Sequence, residues 1–190
     1  GIDVGITTYV ATSDHELIPS IRAYRENLKQ LKRLQRRFSK QKKGSKRRRR
    51  TAEPITIGQA IARLHEKIAN TRRDMAYKTA NKLLSEYDIV VHEDLQIQNM
   101  VRNPNLALSI HDMGWGILFT TLSAMAQTSA TKKVIKVDPR NTSQLCSGCN
   151  EMVKKDLSER IHSCDTCGLE IDRDINASIN ILNRGLKLVA

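Results

Sequence analysis

The fold is decided by a short apolar stretch, Asp88-Ile-Val-Val-His-Glu-Asp-Leu95, which predicts a buried strand ending at Glu93. Consecutive Ile and Val residues favour a strand, and the charged residues on either side mark its two ends. A carboxylate at the end of a buried strand is held in a defined position, as a metal site requires. The alternative interpretation of Glu93 is a solvated strand end.

Strands and helices are predicted on both sides of this stretch. The first 20 residues indicate short strands opening on Asp3, with a turn at residues 12–14 that allows a β-meander. Residues 99–105 are expected to form a loop, because Pro104 lies among polar residues. The order of elements favours an α/β domain with a mixed sheet. The predicted strands cover 2–10, 16–18, 88–93 and 134–137, and the predicted helices cover 21–38, 54–83, 115–126 and 176–188.

Acidic residues also stand within or directly before other predicted elements. Asp3 lies inside a predicted strand, where an acid is disfavoured, and Asp172 and Asp174 flank Arg173 before the last helix. Each has an ordinary alternative, which is a strand-edge turn for Asp3 and helix capping for the other two. Pairs of divalent ions cleave phosphodiesters efficiently, and hard cations prefer carboxylate oxygens. The joint pattern therefore predicts a metal-dependent nuclease.

Four cysteines form two pairs, Cys146-x-x-Cys149 and Cys164-x-x-Cys167, with 14 residues between them. This pattern predicts a zinc ribbon, in which each pair offers two thiolates to one tetrahedral structural Zn²⁺. The residues between the pairs are expected to form a hairpin. His162 is expected to be a bystander, because four cysteines already fill the coordination shell. The alternative interpretation is a redox-active cysteine pair.

The net charge of +12 is concentrated in one part of the chain. Residues 22–50 contain 15 Lys or Arg and one acid, Glu26, so this block predicts contact with a polyanion, of which nucleic acid is the commonest. An acidic membrane surface is the alternative, but no lipidation motif accompanies the block. Few aromatic residues lie in it, so we expect it to bind phosphates rather than stack on bases. The residues assigned to this role are Arg36, Arg37, Lys42, Lys43, Lys46, Arg47, Arg48, Arg49 and Arg50.

The sequence also indicates a cellular compartment. It contains no run of 18 or more apolar residues, so no membrane span is expected. The N-terminus lacks the basic and apolar regions of a secretory signal, so a cytoplasmic location is expected. Four cysteines in that compartment favour a metal site over disulfides.

Five motifs together resemble the TnpB/OrfB proteins of insertion sequences, which are the transposon-encoded relatives of type V CRISPR effectors. The resemblance extends over essentially the whole chain, in order. The motifs are Gly1-Ile-Asp-Val-Gly-Ile6, Val90-Val-His-Glu-Asp-Leu95, Thr142-Ser-Gln-Leu-Cys-Ser-Gly-Cys149, Cys164-Asp-Thr-Cys-Gly168 and Asp172-Arg-Asp-Ile-Asn-Ala-Ser-Ile-Asn-Ile181. The chain departs from the family directly after the third motif, at Asn150, where a glycine is usual, and inside the last motif, at Ser178, where an alanine is usual.

The resemblance implies a fold and a domain arrangement. The fold is a RuvC-like nuclease domain of the RNase H-like class over residues 1–140 and 170–190. A basic helical hairpin is inserted at about 21–86, and a Cys₄ zinc ribbon is inserted at 141–169. The family carries a further N-terminal region, whereas this chain starts two residues before Asp3, so we expect a fragment or a truncated reading frame.

The resemblance also implies an activity. Asp3, Glu93 and Asp174 take the roles of the three catalytic acids that bind Mg²⁺ or Mn²⁺, with Asp172 as the runner-up for the third. Members of the family are DNA endonucleases whose guide RNA comes from the transposon end, and one site cuts both DNA strands. Two alternatives stay open, namely a nucleic-acid-binding remnant or regulator without catalysis, and a transposase that joins strands.

Overall fold

The protein, seen here in a computed structural model, is described over residues 1–41, 56–156 and 158–189. Its strands are β1 (Ile2–Val4), β2 (Thr8–Thr12), β3 (Leu17–Pro19), β4 (Ile89–Glu93), β5 (Lys133–Val137), β6 (Ile161–Ser163) and β7 (Glu170–Asp172). Its helices are α1 (Ala23–Ser39), α2 (Ile57–Glu86), α3 (Ile97–Met100), α4 (Pro104–Met113), α5 (Trp115–Gln127) and α6 (Arg173–Leu186). None of the helices in these described ranges combines the length and the apolar character needed to cross a membrane.

The main sheet has five strands in the order β3-β2-β1-β4-β5. The first three strands form an antiparallel meander, whereas β4 is parallel to both β1 and β5. Ile2 pairs with His92, so Asp3 and Glu93 lie at the same end of two adjacent parallel strands. The predicted α/β class with a mixed sheet is therefore confirmed.

Both faces of the central strand β4 are covered, which explains its continuous apolar sequence. Val90 packs into a core built from α2, α4 and α5, whereas Val91 packs with Ile181 of α6 on the other face. Helix α6 comes so close to the sheet that a Cβ atom on Gly185 would overlap the Val91 side chain. This close approach lies near the end of α6, and the helix also contacts both β1 and β4.

Several predicted boundaries require correction. The loop predicted at 99–105 is wrong in part, because α3 occupies 97–100 and α4 begins at Pro104. The side chain of Asn103 accepts a hydrogen bond from the Asn105 amide, and proline is favoured in the first turn of a helix. The final helix begins at Arg173 rather than near 176. The predicted start of the second long helix at Pro54 lies outside the described residues.

The basic helix α1 is fixed to the body of the protein at its N-terminus. It has no capping side chain of its own, and instead the buried carboxylate of Asp112 on α4 accepts hydrogen bonds from the amides of Tyr24, at 2.7 Å, and Arg25, at 3.1 Å. Arg25 also donates to the Ser109 hydroxyl at 2.7 Å. Further along, Leu31 packs on α2, so the two helices lie side by side.

Replacing Asp112 by asparagine is expected to destabilise the protein by about 1–2 kcal/mol, because one of the two accepting oxygens becomes an NH₂ group that faces a helix N–H. The measurement is the urea midpoint of unfolding. Asp74→Asn is the control, since Asp74 is exposed on α2 and its ion pair with Lys78 should contribute less than about 1 kcal/mol. Equal shifts of the urea midpoint in Asp112→Asn and Asp74→Asn would show that Asp112 does not stabilise α1 as a cap.

Candidate metal centres

Three of the predicted acids meet at one end of the main sheet. Asp3 lies in β1, Glu93 is the last residue of β4, and Asp174 lies in the first turn of α6. Asp3 is half-buried, and the charges of Glu93 and Asp174 both act on its carboxyl. A Cβ atom on Gly5, two positions after Asp3 in the sequence, would lie 4.0 Å from Oδ2 of Asp174. Asp3 and Glu93 are 90 positions apart in the sequence, and Glu93 and Asp174 are 81 positions apart, yet the fold brings them together.

The electrostatics of this acid cluster favour a bound cation. Burial raises the pKa of Asp3 well above its ordinary value, and repulsion from Glu93 and Asp174 raises it further, while Arg173 lowers it. Burial also raises the pKa of Glu93, partly offset by a hydrogen bond from Thr142. Buried acids that repel one another ionise together only when positive charge compensates them. Carboxylate oxygens are the donors that a hard cation such as Mg²⁺ or Mn²⁺ prefers. Among the described residues, however, only the four cysteines have ligand atoms within 4.8 Å of one another, so the acids are near neighbours rather than a closed ligand set.

Two arginines stand beside the acid on α6. Arg173 donates to Oδ1 of Asp174 from Nε at 3.2 Å and from Nη2 at 3.1 Å. Arg160 approaches the other oxygen, with Nη1 3.7 Å from Oδ2, and its side chain is half exposed. One largely buried and one half-exposed arginine thus lie beside Asp174.

The runner-up acid Asp172 caps α6. Its Oδ1 accepts hydrogen bonds from the amides of Asp174, at 2.8 Å, and Ile175, at 3.2 Å. This is the ordinary alternative that the sequence offered for an acid before a helix. The cap also explains why the helix begins earlier than predicted.

The four cysteines form a second centre. One sulfur atom from each of them lies within 4.8 Å of the other three, and all four thiols are free of disulfide bonds. The Sγ atoms of Cys146 and Cys167 are 3.6 Å apart, as are those of Cys149 and Cys164. A tetrahedral zinc ion with Zn–S bonds of about 2.3 Å would require S···S distances of about 3.8 Å. The cluster therefore fits one such ion.

Each cysteine pair lies in its own turn. The first pair is enclosed by a bridge between Leu145 and Met152, and the second lies at the turn of the β6–β7 hairpin. The single hairpin predicted between the pairs is therefore wrong. Asn150, at the position where the family usually has glycine, has a φ of 62°, a left-handed conformation that asparagine tolerates better than most residues. The amide of Cys167 is the main cause that lowers the pKa of the Cys164 thiol, to about 7, which favours a thiolate at this position. A backbone amide also lowers the pKa of Cys149 and of Cys167, but burial and hydrogen bonds with the neighbouring thiols outweigh it, so the pKa of Cys149 is raised to about 12 and that of Cys167 is raised as well.

His162 lies outside the set of four sulfur ligands. Its ring is buried, and Nδ1 contacts the Nζ atom of Lys155. This placement agrees with the prediction that it is a bystander. Burial lowers the pKa of His162, and the neighbouring Lys155 lowers it further.

The basic residues assigned to nucleic-acid binding divide into two groups. Arg36 and Arg37 lie exposed on the last turns of α1. Their neighbours on this helix include further exposed cations, Lys32 and Arg33 among them. The remaining assigned residues, Lys42, Lys43, Lys46, Arg47, Arg48, Arg49 and Arg50, lie outside the described residues.

Sequence reasoning missed three polar residues that connect the two centres. Thr142 is buried and donates to Oε1 of Glu93 at 2.5 Å. Asn176 and Asn180 on α6 form hydrogen bonds to the backbone of the two residues that flank Cys146, which are Leu145 and Ser147. All three stand inside motifs that the sequence analysis singled out, but the contacts depend on the fold and give no local signal.

The fold and the two centres define an α/β protein with clustered carboxylates and a four-cysteine module. A family model described as a probable transposase, OrfB_IS605, matches residues 1–104, and a Cas12f1-like TNB domain model matches residues 115–181. This chain belongs to the OrfB family of insertion-sequence proteins, and the TnpB/OrfB resemblance is confirmed.

Two bacterial relatives align with nearly all of the chain. The sequence is 34% identical over 187 residues to a protein of Streptomyces pristinaespiralis named "Putative RNA-guided DNA endonuclease", covering 98% of this chain and 45% of the relative. It is 30% identical over 206 residues to "Putative RNA-guided DNA endonuclease InsQ" of Escherichia coli (strain K12), covering 100% of this chain and 50% of the relative. The chain thus spans about half the length of these curated relatives.

A solved structure shares the fold. The match is to a chain in the cryo-EM structure of the Cas12f1-sgRNA-target DNA complex, with a TM-score of 0.64 and 19% sequence identity. It covers 96% of this chain and 49% of the other. At this low identity the match bears on the fold alone.

Proposed function

We propose that this chain carries the catalytic centre of a divalent-metal-dependent DNA endonuclease of a transposon, guided by RNA in its full-length form. The observation that carries the proposal is the meeting of Asp3, Glu93 and Asp174 from three distant parts of the chain. Burial raises the pKa of Asp3 and of Glu93, and the charges of Glu93 and Asp174 raise that of Asp3 further, so a bound cation would stabilise the ionised forms. The names of the two bacterial relatives support the same activity.

In this proposal the three acids hold Mg²⁺ or Mn²⁺, which would supply Lewis acidity and a metal-bound nucleophile at the scissile phosphate. Asp3 would share the ions with the other two acids, because the charges of both Glu93 and Asp174 act on its carboxyl. Arg173 keeps Asp174 in one orientation through its paired hydrogen bonds. The half-exposed Arg160 adds positive charge at the rim of the centre, where it would attract the DNA backbone.

We also propose the domain arrangement implied by the family. A RuvC-like nuclease domain of the RNase H-like class would comprise residues 1–140 and 170–190, and the contacts of α6 with β1 and β4 support joining these two segments. Residues 141–169 would form a zinc ribbon with Cys146, Cys149, Cys164 and Cys167 as ligands. The basic hairpin at about 21–86 would bind phosphates of DNA or of the guide RNA, and exposed arginines on α1 support this role.

The proposed activity can be tested by cleavage of labelled single- and double-stranded DNA in Mg²⁺, with and without RNA from the transposon end. Cleavage by the wild-type chain and its loss in Asp174→Ala would support the three-acid centre, and RNA dependence would support guidance. Cleavage that persists in Asp174→Ala would contradict the proposal. Nucleic-acid binding without cleavage, in a folded zinc-loaded protein, would instead favour a catalytically incomplete remnant.

Strand transfer is the second candidate function, because the matching family is described as a probable transposase. The same three acids could serve that reaction, so the acid centre does not discriminate between them. Joined products between labelled transposon ends and a target plasmid would establish strand transfer. Linear cleavage products alone would favour the endonuclease.

A further inference from the structure

Thr142 connects the acid centre to the chain segment that leads into the first cysteine pair. Its hydroxyl lies 2.5 Å from Oε1 of Glu93, and both residues are buried, with 2% and 9% of their surface exposed. The same hydroxyl lies 3.1 Å from the carbonyl of Pro139. One hydroxyl has one proton, so the shorter contact with the carboxylate is the stronger of the two.

The backbone of Thr142 is itself held by the last helix. Asn180 donates from Nδ2 to the carbonyls of Thr142, at 2.9 Å, and Leu145, at 2.7 Å. One turn earlier, Asn176 donates to Leu145 at 2.8 Å, and its Oδ1 accepts from the amide of Ser147 at 2.9 Å. Both asparagines are buried, at 5% and 0% exposure, so these contacts satisfy polar groups that water does not reach.

These contacts form a continuous polar bracket, which we define as Thr142, Asn176 and Asn180. Leu145 and Ser147 flank the ligand candidate Cys146, and Asn176 follows Asp174 by two positions on the same helix. The bracket therefore joins the chain around the first cysteine to the helix that carries one acid, and to the carboxylate of a second. Neither the fold class nor the acid centre by itself requires such a connection.

We propose that Thr142 is a positioning residue that orients the carboxylate of Glu93 for metal binding, and that Asn180 holds Thr142 in place. This inference rests on the proposed function, in which Glu93 is a metal ligand. A glutamate has three side-chain torsions, so a buried donor that fixes one of its oxygens lowers the cost of ordering it when a metal binds. Groups that orient metal ligands in this way typically contribute 10–100-fold to metal affinity.

The experiment measures Mn²⁺ binding by isothermal titration calorimetry on zinc-loaded protein. Thr142→Ala is expected to weaken Mn²⁺ binding by about 10–100-fold, whereas Thr142→Ser, which keeps the hydroxyl, should stay within about 3-fold of the wild type. Asn180→Ala is expected to weaken Mn²⁺ binding as well. Zinc content and circular dichroism check that each variant is folded, and Thr142→Val replaces the alanine variant if that protein does not fold.

The outcomes separate this inference from the proposed function. Glu93→Gln with unchanged Mn²⁺ affinity would contradict the proposed function itself. Weaker binding in Glu93→Gln, together with unchanged binding in Thr142→Ala, would overturn the positioning role and leave the acid centre standing. Equal losses in Thr142→Ser and Thr142→Ala would also overturn it, because packing rather than the hydroxyl would then explain the effect. Unchanged binding in Asn180→Ala would overturn the role given to Asn180.

Discussion

Asp3→Asn is expected to abolish DNA cleavage and, at the same time, to raise the thermal stability of the metal-free protein. The substitution preserves the size of the side chain but removes a charge that is buried beside Glu93 and Asp174. Removing a residue that only orients a metal ligand typically lowers activity by up to about 100-fold. Removing the ligand itself should therefore lower cleavage by more than about 100-fold. Stability and activity thus change in opposite directions, as is common at functional sites.

The direction of the stability change follows from the raised pKa of Asp3. In the folded protein this carboxyl holds its proton more tightly than in the unfolded chain, so its ionisation opposes folding. The wild-type protein should therefore lose stability, relative to the variant, as pH rises through the pKa of the folded state. Below the ordinary pKa of an aspartate, about 3.9, both states are protonated and this dependence disappears. Each kcal/mol gained near neutral pH should raise the melting temperature by about 2–4 °C.

The measurement is the melting temperature between pH 4 and pH 8 in EDTA, on proteins that have been shown to retain zinc, alongside cleavage in Mg²⁺. Asp94→Asn is a matched control, because Asp94 follows Glu93 directly but is exposed and lies 3.7 Å from Lys136. This control should keep its cleavage activity and show little change in melting temperature. Asp3→Asn with full cleavage activity, or with a lower melting temperature throughout, would contradict the interpretation of the acid cluster.

Cys164→Ser is expected to remove stoichiometric zinc from the protein and to unfold the cysteine module. The two short turns around the cysteines hold little apolar core of their own, since the three buried apolar clusters among the described residues contain no residue from 141–169. Structural zinc in small modules contributes an apparent free energy of about 10–16 kcal/mol, far more than such turns can replace. The main sheet, with its separate core, should remain folded.

Zinc content by mass spectrometry of purified protein tests this prediction, with one ion per chain expected for the wild type. Ser163→Ala is the control, because Ser163 is the exposed neighbour of Cys164 and supplies no ligand to the cluster. A wild-type protein that contains no zinc, but whose thiols cycle between reduced and disulfide forms, would favour the redox alternative. Wild-type zinc content in Cys164→Ser would exclude this residue as a required ligand.

Local sequence signals predicted most of the fold. The apolar run before Glu93 predicted a strand that the structure places at 89–93, and the helix predicted at 54–83 corresponds to α2, which spans Ile57–Glu86. The loop predicted at 99–105 is wrong in part, because proline after a capping asparagine also begins helices, as Pro104 does here. Local sequence patterns therefore predicted an element correctly where its residue types favour one kind of secondary structure.

Long-range contacts could not be predicted in the same way. The cap that Asp112 provides for α1 joins residues 88 positions apart, and no pattern near either partner announces it. Thr142 likewise meets Glu93 only because the segment after β5 returns to the end of β4. The acids could be proposed from the sequence because each stands next to a recognisable strand or helix. The groups that orient them depend on tertiary packing.

Manganese binding tests the central claim most directly, because it depends on the acid cluster and not on a guide RNA or on the regions that longer relatives possess. Electron paramagnetic resonance of zinc-loaded protein would count the Mn²⁺ ions bound by the wild type, Asp3→Asn and Asp94→Asn. We expect binding by the wild type and by Asp94→Asn, and loss of that binding in Asp3→Asn. Equal Mn²⁺ binding by all three proteins would contradict the assignment of Asp3, Glu93 and Asp174 as a metal centre.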